Sequence, residues 1–452
     1  MSFAILEPTA PARANPDFLK SDSTHYPVII VGGGQAGLAM SYHLKQRDIE
    51  HLIFERRRMV ESWRSERWDA FSLVTPNWQC TLPGFPYAGS DPDGFMVKNA
   101  IVEYLEAYAR SFNPPLLEHT AVTKLTRDDA GRFAVSTTAG NFTADQVVIA
   151  AGNYQVPTIP RIGERLSPDI VQVHSRDYRN PKQLPAGAVL VVGSGQSGCQ
   201  IAEDIHLTGR KVHLCIGSAP RTARRYRGKD VVAWLEQMGY YKKTIYEHPK
   251  MERDSAPARA RANHYVTGRD GGRDIDLRKF ALEGMSLHGR LKDIKGGRLH
   301  FDDNLKQHLD YADEVAENIK TTIDKYIESA GVNAPFEERY KPLWQPSGPD
   351  LPADIAAADI RSVVWSIGFR ADYRWVDFPT FDGRGFPVQE RGVTTVPGLY
   401  FLGLSWQYTW GSGRFSGVGQ DAEFLAGQIE VRRGVRHRRP VANHMDDWAL
   451  GS

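Results

Sequence analysis

Two glycine-rich stretches set the architecture of this 452-residue chain: VGGGQAGLAM at Val31–Met40 and VGSGQSGCQI at Val192–Ile201. Each has the spacing G-x-G-x-x-G and follows a short run of β-branched residues. Each continues into apolar residues at helical spacing, and the first then reaches a second apolar run, HLIFE, at His51–Glu55. A strand, a tight turn, a helix and a further strand are the parts of a βαβ unit. The sequence therefore predicts an α/β fold with two such units built on parallel strands.

The composition limits the class of protein. The length predicts two or three domains. With 56 basic and 54 acidic side chains, the net charge of +2 gives no overall field that would attract nucleic acid or an acidic membrane surface. The chain has three cysteines, without a C-x-x-C pair or metal-ligand spacing, which argues against dithiol and zinc chemistry. No signal peptide or membrane-length apolar run is present, so we expect a cytoplasmic protein.

The three glycines of each turn have separate roles in a Rossmann-like, dinucleotide-binding fold. The first allows the tight turn, the second lets the backbone approach a pyrophosphate, and the third lets the helix pack closely on the strand. The N-terminus of that helix adds N–H donors and the positive end of the helix dipole. These positions are filled by Gly32, Gly34 and Gly37 in the first turn and by Gly193, Gly195 and Gly198 in the second.

The end of the second strand in each unit predicts the ligand. Glu55 lies about 20 residues beyond the first turn, where a carboxylate accepts hydrogen bonds from the ribose hydroxyls of a dinucleotide without a 2′-phosphate. The second unit has no acid at 216–218, and the basic run PRTARRYRGK follows. Guanidinium groups suit a 2′-phosphate, so the second turn is predicted to bind NADPH rather than NADH; a solvated basic loop is the alternative. Of the basic residues in this run, Arg221, Arg224 and Arg225 are the candidates for the phosphate, and Arg227 and Lys229 follow them.

NADPH delivers hydride but does not activate oxygen, so its partner in the first turn is interpreted as FAD. Several further motifs then resemble the flavin-containing monooxygenase superfamily, the class B flavoprotein monooxygenases, over Tyr26 to about Gln428. The motifs are ESWRSERWDAFSLVTPNWQCTLPGFPY (Glu61–Tyr87), AAGNYQVPTIP (Ala150–Pro160), WSIGF (Trp365–Phe369) and PGLYFLGLSW (Pro397–Trp406).

One motif departs from the family pattern. PDIVQVHSRDY keeps His174, Ser175 and Tyr178 of the signature between the two turns, but has Pro168 and Ile170 where Phe and Gly are expected. Within the superfamily, the segments GRDGGRDIDLRKF (Gly268–Phe280) and SWQYTWGSGRFSG (Ser405–Gly417) resemble bacterial flavin-dependent oxidoreductases of nitrilase gene clusters.

The resemblance implies an FAD domain with an inserted NADPH domain. The FAD domain is expected at 26–160 and 355–431, and the NADPH domain at 161–354, with an irregular and helical insert at about 230–350. Residues 1–25 and 432–452 are expected to be tails. Within the insert, an amphipathic helix near 304–329 carries an apolar stripe. That stripe is expected to pack in the core or against a second copy of the chain, as in a homo-oligomer.

The resemblance also implies an activity: a monooxygenase that inserts one oxygen atom from O₂ into a small organic substrate through a C4a-(hydro)peroxyflavin. An NADPH oxidase or dehydrogenase without oxygen transfer is an alternative, and so is a non-catalytic flavoprotein that senses NADPH. Besides the turn glycines, Glu55 and the three arginines, the cofactor-binding residues are expected to be Gln35, Ala36, Arg56, Trp63, Arg64, Thr75, Asn77, Ala151, Gly152, Ser194, Gln196, Ser197, Ile367, Gly368, Gly403 and Leu404.

Four residues are candidates for catalytic roles. Asn77 would present its amide to the flavin edge, or else is a turn residue after a proline. His174 would couple a hinge or handle a proton, or else is a buried histidine with satisfied hydrogen bonds. Trp406 alternates with Tyr408 and Trp410, so on a strand the three would share one face, either in the core or in the cavity wall. Arg414 would anchor an anionic substrate or the flavin pyrimidine ring.

Overall fold

The computed structural model describes residues 24–247 and 263–437 of the chain. The helices in this part are α1 (Gln35–Lys45), α2 (Glu61–Ser65), α3 (Lys98–Phe112), α4 (Gln196–His206), α5 (Val231–Gln237), α6 (Leu277–Leu282), α7 (Leu305–Ser329) and α8 (Val418–His437). The strands are β1 (His25–Val31), β2 (His51–Phe54), β3 (Thr81–Leu82), β4 (Phe85–Pro86), β5 (Leu116–Leu117), β6 (Val122–Arg127), β7 (Phe133–Thr137), β8 (Gly140–Ile149), β9 (Val156–Pro157), β10 (Val171–His174), β11 (Ala188–Val192), β12 (Val212–Cys215), β13 (Arg225–Tyr226), β14 (Lys229–Asp230), β15 (Ser286–His288), β16 (Leu291–Lys295), β17 (Arg298–Phe301), β18 (Ala353–Asp354), β19 (Ile360–Trp365), β20 (Phe369–Arg370), β21 (Gln389–Glu390), β22 (Val393–Thr394) and β23 (Leu399–Phe401).

Two sheets carry the two glycine turns. The first is built on the parallel strands β23, β8, β1, β2 and β5, and β6, β7, β21 and β22 extend it with antiparallel pairs. The second has the order β10-β19-β11-β12-β15, and all of its pairs are parallel. The first turn follows β1 and the second follows β11, so both lie at the carboxyl end of a parallel strand. The predicted α/β fold with two dinucleotide-binding units is confirmed.

Both faces of the first sheet are covered, which explains the continuous apolar run in β1. Val28 and Ile30 are buried on one face with Leu38 of α1 and residues of α3 and α8. Ile29 is buried on the opposite face with Phe133 of β7. Because neighbouring strand residues point to opposite faces, helices on only one side would have left every second residue of this run exposed.

The chain passes between the two sheets twice, and the two crossings pair with each other. β9, in the crossing that leaves β8, pairs antiparallel with β20, in the crossing that returns after β19. The Thr158 N–H also donates to the Gly368 carbonyl at 3.1 Å. We call the part of the chain built on each sheet a module, the first module carrying the first glycine turn and the second module the second. The two modules are therefore joined by a two-strand connection, which fixes where one glycine turn lies relative to the other.

Two segments extend beyond the domain boundaries that were expected from the sequence. Strand Ile360–Trp365 pairs with β10 and β11, so the chain stays in the second sheet about ten residues beyond the boundary expected at 355. Helix α8 continues to His437, past the expected start of the tail at 432. Most of the expected tails, at 1–23 and 438–452, falls outside the described residues.

The insert contains more regular structure than its sequence indicated. It holds α5, a small sheet of β16, β17 and β18, and the 25-residue helix α7. The apolar stripe of α7 is buried within its own chain, since Leu305 and Leu309 join the core of the second module and Ile323 and Ile327 join a cluster around Trp234. The core interpretation of the stripe is confirmed.

Candidate functional site

The first glycine turn has two glycines that the protein itself requires and one that faces open space. A Cβ on Gly32, whose φ is +118°, would lie 2.4 Å from the Ala150 carbonyl oxygen, and a Cβ on Gly37 would lie 1.9 Å from the Gly32 oxygen. At both positions a side chain would therefore clash with the protein's own backbone, whether or not a ligand is bound. A Cβ on Gly34 would meet no atom within 4 Å. Gly34 is also the N-cap of α1, where backbone N–H groups point out of the helix.

The second turn repeats this arrangement. A Cβ on Gly193 would lie 2.6 Å from the Ser366 oxygen, and one on Gly198 would lie 1.8 Å from the Gly193 oxygen. Gly195, the N-cap of α4, again faces open space. Each turn thus forms a concave cradle at a helix N-terminus, with room where the backbone would approach an anion. The residues present fit a dinucleotide pyrophosphate at both turns.

Glu55 lies at the rim of the first cradle. Its two carboxylate oxygens accept the Gly33 N–H at 2.8 Å and the Arg57 N–H at 2.9 Å. These two bonds hold the carboxylate at the end of β2, the place where it would receive a ribose. Arg56, the next residue, lines a cavity of about 320 Å³ whose wall also includes Arg176 and Arg179.

The basic run after β12 is used differently from the sequence prediction. Arg221 is 4% exposed and its Nε donates to Asp313 at 2.6 Å, and Arg224 is 2% exposed and donates to Asp230 at 2.7 Å. Both guanidinium groups belong to internal ion pairs, so the prediction that they meet a 2′-phosphate is wrong. Arg225 is exposed and remains available. The other part of the sequence argument, that residues 216–218 include no acid that would repel a 2′-phosphate, is unaffected.

The structure brings four separate sequence motifs together beside the first cradle. The Gln35 amide accepts the Trp63 indole N–H at 3.1 Å and donates to the Gly413 carbonyl at 3.1 Å. The Asn153 amide donates to the Gly403 carbonyl at 3.1 Å. Gly403 has φ +87°, and a Cβ there would lie 2.8 Å from the Cβ of Ala36. Ala151, Gly152 and Leu404 adjoin these contacts in sequence.

Asn77 does not present its amide to a cofactor. It is 4% exposed, its Nδ2 donates to the Asp91 carbonyl at 2.9 Å, and its Oδ1 accepts the Met96 N–H at 2.8 Å. Both ends of the amide thus hold the loop that precedes α3. The structural alternative is correct. Thr75, two residues earlier, is half-buried.

His174 is buried and positions the crossing between modules. Its Nδ1 accepts the Arg176 N–H at 3.1 Å, so the proton is on Nε2, which donates to the Gly368 carbonyl at 3.0 Å. Burial lowers the pKa of His174. A neutral imidazole with both nitrogens engaged is not placed to carry a proton, so the hinge interpretation is supported and proton handling is not. Ile367, beside Gly368, is 38% exposed.

Arg64 forms an ion pair with Glu106 of α3 and is therefore a structural contact between two helices. In the second cradle, Ser194 Oγ accepts the Gly217 N–H at 3.0 Å. Gln196 donates to the Val266 carbonyl at 2.6 Å. These bonds fix the turn against neighbouring loops. Ser197 follows Gln196 in the first turn of α4.

The residues from 404 to 417 form a folded loop, so the three alternating aromatic residues do not share the face of a strand. Trp406 has φ +52°, and one hydroxyl, Ser412 Oγ, accepts both the Tyr408 and Thr409 N–H groups. The loop still carries aromatic rings that contact other parts of the chain. Trp410 packs on Tyr241 of the second module with ring centroids 4.4 Å apart. Arg414 stacks on Trp410, 4.0 Å from its ring centroid.

Sequence reasoning missed Arg67. Its guanidinium carbon lies 5.0 Å from the Trp63 ring centroid and 5.9 Å from that of Tyr154. Helix α2 ends at Ser65, before Arg67, so the four-residue spacing between Trp63 and Arg67 is not a helical repeat and gave no signal. Tyr154 is distant in sequence and gave none.

Neither a metal site nor a membrane segment is found in the described part of the chain. Within 24–247 and 263–437, no group of three or more His, Cys, Asp and Glu side chains is arranged to hold a metal ion. None of the helices placed there combines the length and the apolar character that a membrane crossing needs.

Comparisons with known proteins agree with this geometry. The model of the pyridine nucleotide-disulphide oxidoreductase family matches residues 29–277. A CzcO-like oxidoreductase of Geobacillus kaustophilus, named as uncharacterized, is 34% identical over 408 residues, which cover 89% of this chain and 97% of the relative.

Two solved structures share the fold. One is a flavin-containing monooxygenase from Stenotrophomonas maltophilia, with a TM-score of 0.64 and 17% identity, covering 90% of this chain and 99% of that one. The other is the ornithine N-hydroxylase of Kutzneria sp. 744 in complex with reduced FAD, NADP⁺ and L-ornithine, with a TM-score of 0.57 and 16% identity, covering 90% and 100%.

Proposed function

This chain belongs to the pyridine nucleotide-disulphide oxidoreductase family and is a flavin-monooxygenase-like oxidoreductase; from that premise we propose that it transfers one oxygen atom from O₂ to a small organic substrate. FAD would lie in the first cradle and NADPH in the second. The observation that carries the proposal is the pair of glycines, Gly34 and Gly195, that face open space at two helix N-termini.

Disulfide chemistry, which the family name includes, has no support here. The three cysteines, Cys80, Cys199 and Cys215, are free and buried. Burial raises the pKa of Cys80 to about 12 and those of Cys199 and Cys215 well above their ordinary value. A thiol must lose its proton to attack a disulfide, so none of these side chains is activated. Oxygen transfer is therefore favoured within the family.

Residues of the chain would hold each cofactor. In the first cradle, the N–H groups at the start of α1 would meet the FAD pyrophosphate and Glu55 would accept the ribose hydroxyls. In the second, the start of α4 would meet the NADPH pyrophosphate, and Arg225 is the first exposed basic side chain after the end of β12, where the 2′-phosphate would lie. When bound, FAD supplies the redox chemistry that couples hydride from NADPH to the activation of oxygen.

Aromatic side chains of the chain would limit the access of water beside the first cradle. Trp63 stacks on Phe415 with ring centroids 5.6 Å apart, and Trp410 packs on Tyr241 across the two modules. The paired crossings, fixed by the His174–Gly368 bond, hold the modules in one arrangement. A walled site of this kind favours oxygen transfer over loss of reactive oxygen species to solvent.

The test is to purify the protein, measure its FAD content and follow NADPH consumption with a panel of amines, thioethers and ketones. A monooxygenase consumes more NADPH with a substrate and gives a product heavier by one oxygen atom. Consumption that yields hydrogen peroxide in equal amount and no oxygenated product would identify an oxidase instead. Bound FAD that NADPH does not reduce would identify a sensor.

A further inference from the structure

A group of aromatic side chains surrounds two arginines between the two modules. We define this aromatic cleft by Trp63, Phe71, Tyr154, Tyr241 and Trp410. The arginines are Arg67, which follows α2, and Arg414, in the loop before α8. Arg414 was a candidate anion-binding residue from the sequence, and Arg67 was not.

Arg67 lies against three of the rings. Its guanidinium carbon is 5.0, 5.7 and 5.9 Å from the ring centroids of Trp63, Phe71 and Tyr154. Its guanidinium group donates to a neighbouring backbone carbonyl, that of Glu66, at 2.8 Å. The Glu66 carboxylate is bound instead by Arg57 at 2.6 Å.

Arg414 has the same kind of environment. It stacks on Trp410 and donates to the Trp410 carbonyl and, at 2.9 Å, to the amide oxygen of Asn263. Both partners are neutral. Burial lowers the pKa of Arg414 and also that of Arg67. The Tyr154 hydroxyl opposes both shifts, and the Glu66 carboxylate, which is not in contact with the guanidinium group, also opposes the shift of Arg67.

A series of contacts connects Arg67 with Arg414. Arg67 stacks on Trp63, Trp63 stacks on Phe415, and Phe415 is the residue next to Arg414. The Gln35 side chain accepts the Trp63 indole N–H and donates to the carbonyl of Gly413, the residue that precedes Arg414 in the sequence. This contact places both arginines beside the first cradle.

Several other buried or half-buried arginines have carboxylate partners, whereas the half-buried Arg179 and Arg210 donate to backbone carbonyls. Arg64, Arg221 and Arg224 are paired with Glu106, Asp313 and Asp230. Among the described residues, no carboxylate lies within 4 Å of the guanidinium group of Arg67 or Arg414. Arginine does not lose its proton in a protein, so a sheltered guanidinium without an anion is costly, and aromatic faces compensate it only in part.

We propose that Arg67 and Arg414 bind the carboxylate of the substrate, and that the substrate is an aromatic monocarboxylic acid whose ring lies among the rings of the aromatic cleft. A planar guanidinium fork matches a carboxylate, and the five rings match an aromatic body. The cofactor pyrophosphates have their own cradles at Gly34 and Gly195. The inference rests on the proposed function, since it names the substrate class of the same site.

The test uses FAD-loaded protein and three probe acids, benzoate, phenylacetate and 3-phenylpropionate, each with its neutral primary amide. Binding is followed through tryptophan fluorescence and the visible flavin spectrum. At least one acid is expected to bind about tenfold or more tightly than its amide, because the acid forms charge-assisted bonds that the amide lacks. Arg67→Gln and Arg414→Gln should each reduce this preference severalfold and leave the Kd for NADPH unchanged.

Two further variants sharpen the result. Arg414→Lys keeps the charge but not the fork, so it should recover part of the preference lost in Arg414→Gln. Arg110→Gln removes an exposed arginine of α3, 3.9 Å from Glu106, and should leave the preference unchanged. Variants that do not fold are recognised by their circular dichroism spectrum and melting temperature, and the wild-type comparison of acid with amide still tests the proposal.

Equal binding of every acid and its amide to the wild-type protein would overturn the proposal. So would arginine variants that weaken NADPH or FAD binding and keep the preference for acids, because the arginines would then serve a cofactor. FAD content and the reduction of bound FAD by NADPH are measured on the same samples without any acid. Their failure would overturn the proposed function, and tryptophan fluorescence would still report whether the acids bind.

Discussion

Replacing Gly34 with alanine separates cofactor binding from folding. The backbone at Gly34 has φ −86° and ψ −173°, which alanine adopts without strain, and the new Cβ would meet no protein atom within 4 Å. Restriction of the unfolded chain would then stabilise the FAD-free protein by about 0.4–1 kcal/mol. The methyl group would, however, occupy the space through which the FAD pyrophosphate reaches the helix N-terminus. Losing one charge-assisted N–H bond costs about 1.5–3 kcal/mol.

This energy corresponds to FAD binding that is about 10- to 150-fold weaker. The assay is a titration of the FAD-free protein with FAD, followed by quenching of flavin fluorescence, with melting temperatures measured on the same samples. Gly37→Ala is the matched control, because its Cβ would lie 1.9 Å from the Gly32 oxygen and would separate α1 from β1. That variant should lose stability whether or not FAD is present. The reasoning is refuted if Gly34→Ala binds FAD like the wild type, or if it is destabilised as strongly as Gly37→Ala.

Three more perturbations have defined outcomes. Gly195→Ala should raise the KM for NADPH about tenfold and leave FAD content unchanged, since one charge-assisted bond at the second cradle is lost; an unchanged KM would contradict this. Arg225→Gln should raise the KM for NADPH severalfold and not that for NADH, which steady-state kinetics with both coenzymes checks. Burial raises the pKa of Asp421 to about 6, so the folded protein keeps this proton to higher pH than the unfolded chain, and stability falls as pH rises from about 4 to 6. Asp421→Asn should therefore be more stable than wild type by up to about 3 kcal/mol at pH 8 and nearly equal to it at pH 4, and denaturant melts with the same difference at both pH values would exclude this.

The parts of the fold that sequence could predict are local. In β1, the first turn and α1, the strand run, the three glycines and the helical pattern are consecutive in the chain, so each supports the interpretation of the next. Glu55 follows for the same reason, since its place is fixed by the end of β2. Patterns of this kind depend on backbone geometry within about 30 residues, as in a βαβ unit.

The site predictions that failed concern side chains whose hydrogen-bond partners are distant in the chain. Arg221 and Asp313 are separated by 92 positions, so the basic run after β12 gave no sign that its charges are neutralised. Asn77 is held by backbone groups 14 and 19 positions away. A charge or an amide can be recognised in a sequence, but whether it is already bound depends on tertiary contacts.

The loop at 404–417 failed for another reason. The alternation of Trp406, Tyr408 and Trp410 has the period of a strand, but the glycines and Ser412 that follow turn the chain back on itself. Local turn chemistry therefore outweighs the alternating pattern. Trp410 packs on the ring of Tyr241, which is distant in the chain and which no local pattern could indicate.

The most direct test of the two-cradle account is anaerobic reduction of the FAD-loaded protein by NADPH in a stopped-flow spectrometer. The account predicts that the protein takes up one FAD per chain and that its visible absorbance is bleached at a rate that saturates with NADPH concentration. Protein that takes up no FAD, or bound FAD that stays oxidised at saturating NADPH, would contradict it.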